Sequence, residues 1–250
     1  MARALVTGAG QRLGQAMAIA LAGRGYDVAV HYATSDDGAA DTLNAIEAHG
    51  QKGVALQADL LDETQASALF AQSVAALGGP ITCLINNASI FEDDTLQSST
   101  RESWDRHMES NLRAPYVLTQ LMAQQGLKAS LDAAGEPVAA GLVVNMLDQR
   151  IRNLTPEYST YTLAKMGLWA LTQTAAQGLA PDIRVNGIAP GPTLRGAHQS
   201  VSEFANERHG TVLRRGVGPQ DIVAALAYLL EAQAVTGQAI CVDGGQHLTW

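Results

Sequence analysis

The 250-residue chain has no uninterrupted run of about 18 apolar residues, so no segment reads as a membrane-spanning helix. It also lacks an apolar signal core: Met1-Ala2-Arg3 leads straight into a strand-like segment, and a cytoplasmic protein is expected. Cysteine is scarce. Cys83 and Cys241 lie far apart in apolar, strand-like runs, which favours two buried free thiols over a disulfide or a metal site. The histidines, at 31, 49, 107, 198, 209 and 247, include no pair at metal-ligand spacing, so no metal is expected. Positive charge is in deficit. A formal net charge of −8 argues against general binding to nucleic acid or an anionic membrane, while leaving room for a local anion site. Charged residues are only 16% of the chain beside 47% hydrophobic, which excludes disorder and fits a compact globule. Internal repeats and low-complexity stretches are absent as well.

What is present is an alternation. Short β-branched or apolar runs take turns with longer Ala/Leu-rich periodic segments, the pattern of a doubly wound parallel sheet covered by helices on both faces. Seven strands are predicted, near Ala4–Thr7, Val28–His31, Gly53–Gln57, Ile81–Asn86, Leu142–Met146, Arg184–Ile188 and Gln238–Val242. Helices are predicted near 12–24, 38–49, 63–77, 101–129, 157–178 and 219–230, each long enough for the crossover that parallel strands require. The length suits one undivided α/β domain over 1–250. Residues 130–140 read as a surface loop, and residues 191–218, rich in Gly, Arg and polar side chains, read as a substrate lid.

The stretch T-G-A-G-Q-R-L-G, from Thr7 to Gly14, separates the first strand from the first helix. Glycines at Gly8, Gly10 and Gly14 let the backbone approach a pyrophosphate, whose charge is met by the N-terminus of the following helix. The strand before it and the helix after it supply the context a dinucleotide site needs. At the end of the second strand, where an NAD-preferring site places a carboxylate, stand Tyr32 and Ala33. Arg12, Thr34 and Ser35 offer a guanidinium and hydroxyls to a 2′-phosphate, so NADP(H) is favoured. Asp36 and Asp37 dilute that preference and serve equally well to cap the next helix.

Between Asp148 and Lys165 lies Tyr161-x-x-x-Lys165. If Thr155 caps a helix with Pro156 in its first position, the tyrosine and lysine share one face a turn apart. A free tyrosine has a pKa of roughly 10, and an ammonium one turn away favours the phenolate, pulling the phenol toward the range of a working acid or base. Tyr158 is a control within the same stretch: four residues beyond it stands Thr162, which brings no charge.

Taken in order, the glycine loop, Asn86-Asn87-Ala88-Ser89, Asn111, Tyr161-x-x-x-Lys165 and Pro190-Gly191-Pro192-Thr193 make the chain resemble the short-chain dehydrogenase/reductase family over its whole length. The resemblance implies a single-domain Rossmann fold. It implies that Tyr161 gives or takes the proton in hydride transfer, that Lys165 lowers its pKa and holds the nicotinamide ribose, and that Asn111, in the long helix, anchors a water. It places Asn86, Asn87 and Ala88 along the cofactor, Asp59 with Leu60 at the adenine, Thr7 and Leu13 in the glycine loop, and Pro190, Gly191 and Thr193 at the nicotinamide end. Family members are usually homotetramers or dimers through the long helices, where Ala164, Gly167 and Ala170 would permit close contact or serve internal packing.

Two departures narrow the resemblance. Arg12 stands where the family loop usually has glycine, and Asp148 where it usually has the catalytic serine, 13 residues before Tyr161. Both resemble the pteridine reductase branch, as do Asn145-Met146-Leu147-Asp148, Asn86 to Phe91 and His31-Tyr32, although Thr34 replaces an arginine of that branch. The branch implies that Phe91 stacks on a pterin and that Ser89 lies between cofactor and substrate. A flat, electron-poor ring suits an aromatic face, and a carboxyl at Asp148 can hydrogen-bond ring nitrogens or pass a proton as serine cannot. Phe91 could instead be core packing, and Asp148 could cap or brace the turn. The expectation is an NADPH-dependent reductase of a dihydropterin, dihydrofolate or biopterin-like compound. The alternatives are a ketone or 3-oxoacyl reductase, and a non-catalytic NADP(H)-binding sensor.

Overall fold

The computed structural model describes residues 2–196 and 199–249; Ala197 and His198 of the predicted lid lie outside the described residues. The chain runs β1 (Ala2–Val6), α1 (Arg12–Ala22), β2 (Tyr26–Tyr32), α2 (Asp36–Ala48), β3 (Gly53–Gln57), α3 (Glu63–Leu77) and β4 (Cys83–Asn86). It continues through α4 (Arg101–Met108), a π turn at Glu109–Arg113, α5 (Ala114–Gln124), β5 (Ser130–Leu131), β6 (Pro137–Val138), β7 (Gly141–Met146) and α6 (Ser159–Leu179), then β8 (Ile183–Pro190), α7 (Val201–His209), α8 (Pro219–Glu231) and β9 (Ala239–Val242). Among the described residues the main sheet has seven strands in the order β3-β2-β1-β4-β7-β8-β9, parallel throughout. The order reverses direction between β1 and β4, and the carboxyl ends there frame the crevice in which open α/β sheets bind ligands.

Alternation along the strands feeds two cores. Ala4 and Val6 of β1 join Met17, Leu21, Ile222 and Leu226 from α1 and α8 on one face, while Leu5 joins Leu69, Leu118 and Met122 from α3 and α5 on the other. Both faces of the strands are covered, so the strands read as continuous apolar runs. Each large side chain so buried contributes about 1.5–3 kcal/mol. Cys83 is a buried free thiol whose pKa burial pushes up to about 12, whereas Cys241, also free, is only partly buried.

The strands fall within two residues of their expected limits, but two helical expectations and one loop expectation need correction. The helix expected over 101–129 is interrupted by the π turn and ends at Gln124. Pro115 has no N–H to give the helical ladder, and Gly126, at φ 72°, closes the element. Residues 130–140 form a two-stranded hairpin (β5-β6) instead of an irregular loop. The helix bearing Tyr161 does not start at Thr155-Pro156; it starts at Ser159, because Tyr158 adopts a left-handed conformation at φ 55° and ψ 47°. Within α6, Ala164 is fully buried and Gly167 packs against Leu112, so both serve internal packing, while Ala170 is exposed. The 191–218 segment contains α7, whose Arg208 donates to the carbonyls of Pro192 (3.1 Å) and Val217 (2.8 Å) and so ties its two ends together.

Candidate active site

The glycine loop is knitted to the end of β4. Thr7 Oγ1 accepts from the amides of Asn87 (2.9 Å) and Ala88 (3.0 Å), and Asn87 Nδ2 donates back to the carbonyls of Thr7 (2.8 Å) and Gly8 (3.2 Å). Gly8, at φ +63°, gives its N–H to Nδ1 of His31 at 3.0 Å. That nitrogen accepts, so the His31 proton sits on Nε2 and is donated to the Ala58 carbonyl at 3.1 Å. Burial lowers the His31 pKa and keeps the ring neutral. His31, expected at the cofactor, braces the loop from inside. A side chain at Gly14 would collide with the Gly8 carbonyl, and one at Gly38 with the Gly10 carbonyl.

Helix α1 starts without a side-chain cap, which leaves its first amides unspent on protein side chains and open to an anion. Arg12, held at φ 58°, donates to the carbonyls of Leu194 (3.1 Å) and Arg195 (3.0 Å), joining the glycine loop to the segment after β8. Thr34 is exposed and Ser35 partly exposed beside the loop, while neighbouring Asp36 pushes the Tyr32 pKa up. These residues fit a phosphate-bearing dinucleotide: an uncapped helix N-terminus, a tightly apposed glycine turn, and a guanidinium with hydroxyls at its rim.

The reactive groups meet at the ends of β4 and β7. Tyr161 and Lys165 lie a turn apart on α6, at 5% and 3% exposure. The Tyr161 hydroxyl donates to Asp148 Oδ2 at 2.8 Å, while Asp148 Oδ1 accepts from the Arg150 amide at 2.8 Å. Asp148 therefore caps the turn at Gln149–Ile151 and holds the phenol at once. Burial raises the pKa of Asp148. Burial, together with the Asp148 charge and hydrogen bond, raises Tyr161 well above the ordinary tyrosine value, with the Arg150 charge and then the Ser89 hydroxyl pulling the other way. The lysine does not produce the expected lowering. Its Nζ donates to the Met146 carbonyl at 2.7 Å and lies 5.6 Å from the Tyr161 ring centroid, and burial pulls its own pKa down to about 8. Facing the tyrosine edge-on, 4.8 Å away between ring centroids, is Phe91, which is 52% exposed and so is not core packing.

The family model described as Enoyl-(Acyl carrier protein) reductase matches residues 8–247. The chain is 30% identical to a 3-oxoacyl-[acyl-carrier-protein] reductase FabG of Staphylococcus epidermidis, covering 98% of both chains, and 32% identical to a short-chain dehydrogenase/reductase of Armillaria gallica over 97% of this chain and 94% of that one. The chain belongs to the short-chain dehydrogenase/reductase family. Among solved structures it resembles FolM Alternative dihydrofolate reductase 1 of Brucella suis in complex with NADP, at 38% identity and a TM-score of 0.90, with 100% of this chain and 96% of that chain covered.

Within this short-chain reductase site the remaining expected residues are placed as follows. Asn111 lies in the π turn, where its amide clasps Ile90 at both the N–H and the carbonyl, each at 2.8 Å. Asn86 is buried in a ladder to Asn145 (2.8 Å), which continues to Thr172 (2.9 Å), so it supports the crevice instead of lining it. Asp59 is exposed and accepts from the Leu61 amide at 3.0 Å, Leu60 is buried, and Leu13 packs on the core. Thr193 donates to the Gly191 carbonyl at 2.9 Å, shaping the turn after Pro190.

Sequence reasoning missed Tyr158 and Arg150. The Tyr158 ring stacks on Phe91, with centroids 4.3 Å apart and planes 8° from parallel, and the Arg150 guanidinium lies 4.7 Å over the Tyr158 centroid. Neither follows a spacing rule, since the ladder depends on the left-handed turn at Tyr158.

Proposed function

We propose that the protein is an NADPH-dependent reductase of the C=N bond of a pterin, of the dihydropterin, dihydrofolate or biopterin type. The observation that carries this reading is the 2.8 Å contact between the Tyr161 hydroxyl and the part-buried Asp148 carboxyl beside the half-exposed Phe91 ring. The uncapped start of α1, Arg12, Thr34 and Ser35 would hold the phosphates, and NADPH when bound supplies the hydride. Phe91, half-exposed and backed by the stacked Tyr158 ring, offers an aromatic surface against which a heteroaromatic ring can lie. Tyr161 stays a protonated phenol at neutral pH, which suits it to giving a proton to the ring nitrogen. Asp148, its pKa raised, can hydrogen-bond the donor groups of a pterin edge and share the Tyr161 proton. Lys165, buried and bonded to Met146, keeps its charge beside the tyrosine at neutral pH. Likeness to the Brucella dihydrofolate reductase supports the reading.

A ketone or 3-oxoacyl substrate is the second reading, favoured by the 30% identity to FabG. Asp148 weighs against it, because an oxygen gaining negative charge is served by hydroxyl or N–H donors and gains little from a carboxylate beside it. The proposal includes a cytoplasmic enzyme that assembles as a homotetramer or dimer; the exposed Trp104, Tyr116 and Leu163 on α4, α5 and α6 support a covered helical face. The segment 191–218 would act as the lid, latched by Arg12. Following NADPH absorbance with a panel of oxidised pterins and simple ketones tests the substrate. Pterin turnover is expected, and turnover of ketones alone would overturn the reading.

A further inference from the structure

We propose that His107 is a positioning residue that locks the Phe91 face to the Tyr161 helix, fixing the gap in which a flat substrate is held; this rests on Phe91 and Tyr161 acting as substrate face and proton donor. His107, on α4, is fully buried, with no acidic residue in ion-pairing contact among the described residues. Burying an imidazole is costly unless both ring nitrogens are satisfied. Here both are, and the partners come from the two sides of the pocket. Thr160 gives its hydroxyl proton to Asp94 Oδ2, so its oxygen can only accept from His107, and the contact to His107 Nδ1 is 2.7 Å. The Glu92 amide, next to Phe91, donates to Nε2 at 3.2 Å. One neutral tautomer, with the proton on Nδ1, satisfies both bonds.

Asp94 completes the strut. Tyr158 provides no side-chain cap for α6, and Asp94 takes that role from a remote segment: Oδ1 accepts from the Thr160 amide at 3.0 Å, and its carbonyl accepts from the Ser159 amide at 3.1 Å. Ser103 Oγ on α4 donates to the second carboxylate oxygen at 3.0 Å. A carboxylate at a helix N-terminus also interacts favourably with the helix dipole. The imidazole stands edge-on to the Tyr161 ring at 5.9 Å. Residues 92–94 and the first turn of α6 are thereby tied to the same ring on α4, so the Phe91-to-Tyr161 spacing is set by His107. A purely structural histidine would not need to divide its two bonds between these two walls.

That division makes the two bonds separable. In His107→Asn the shorter amide reaches the Nδ1 position, keeps Thr160 and abandons the Glu92 amide. In His107→Gln the longer amide reaches the Nε2 position and abandons Thr160. For whichever substrate the parent turns over, the Asn variant is expected to raise KM about tenfold with kcat within about twofold, and the Gln variant to lower kcat about tenfold with KM within about twofold. Hydrogen exchange, measured without substrate, should quicken around residues 90–94 in the first variant and around 159–162 in the second. Thr160→Val should behave like His107→Gln and Thr160→Ser like the parent, which keeps the test available should a His107 variant fail to fold. NADPH affinity should stay within about twofold throughout. Equal losses in kcat and KM in both His107 variants, or no change in either, would overturn the proposal. If the parent reduces only ketones while the exchange pattern still divides, the pterin reading fails and the strut stands.

Discussion

Replacing Asp148 by serine tests the acid machinery most directly. Serine keeps the turn, because its hydroxyl can accept from the Arg150 amide as Asp148 Oδ1 does at 2.8 Å, so the local backbone has reason to hold. What disappears is the part-buried carboxyl that receives the Tyr161 hydroxyl at 2.8 Å. A hydrogen bond to a charged group is worth about 1.5–3 kcal/mol, which translates into a change of about 10- to 150-fold in the ionisation equilibrium of the phenol. The direction follows from the causes on Tyr161: burial, then the Asp148 charge and hydrogen bond, all hold it protonated, and the second and third vanish in the variant. Asp148→Ser should therefore ionise Tyr161 at lower pH than the parent. Ultraviolet difference titration reads tyrosinate directly, and subtracting the same trace from Asp148→Ser/Tyr161→Phe assigns the signal among the six tyrosines. Pterin turnover, which on this reading also needs the carboxyl to grip the ring edge, should fall about 100-fold. A tyrosinate titration unmoved from the parent, with pterin reduction retained, would refute both the electrostatic coupling and the assigned role.

Tyr161→Phe should lower kcat by about 100-fold or more while NADPH binding, read by fluorescence, persists; normal turnover would remove the phenol from the mechanism. Gly38→Ala drives a methyl into the Gly10 carbonyl and should destabilise the fold by about 1–3 kcal/mol and weaken NADPH binding, seen as a lower Tm with and without cofactor. His31 and His107 both have pKa values lowered by burial, so below the unfolded value of about 6.5 the unfolded chain takes up protons that the folded chain refuses. Stability should accordingly decline as pH falls from about 6.5 toward the lower folded values, and a thermal melt series in which His107→Asn shows the parent's slope would contradict the contribution assigned to that ring.

The doubly wound sheet was legible because its signal is local and repeated. Apolar strands such as Leu142–Met146 are buried on both faces, and no long-range contact is needed to read them. Glycines 8, 10 and 14 were legible for a similar reason, since a steric need imposed by a turn leaves one residue type. Gly38 has the same need, but it arises from α2 meeting the loop in space, and nothing near it in sequence announces that. Thr155 and Pro156 carry a sound helix-start signal, yet the Thr155 hydroxyl receives Arg150 and the cap of α6 comes from Asp94, more than sixty residues earlier. Tertiary structure supplied a better cap than the local sequence. Tyr158, lacking a charged residue four positions on, offered no pattern at all; its place on Phe91 follows from one left-handed residue.

The Tyr161 and Lys165 pair shows where spacing stops being informative. A charge one turn away lowers a phenol's pKa only if water is absent between them, no stronger partner intervenes and the charge itself survives burial. Here the nearest charged partner of the phenol is Asp148, of opposite sign to the lysine, while the Lys165 ammonium, still charged at neutral pH, donates to the Met146 carbonyl and stands 5.6 Å from the ring centroid. Net, the site favours the neutral phenol. A neutral phenol is a donor and not a base, which suits the proposed reduction, in which a nitrogen would become strongly basic once hydride had added to its carbon. A serine in place of Asp148 would leave the phenol easier to ionise and provide a hydroxyl for an oxyanion, which is the arrangement a carbonyl substrate rewards. The single exchange of serine for aspartate thus changes both the charge on the donor and the edge offered to the substrate, and both changes are the ones the proposed pterin reading requires.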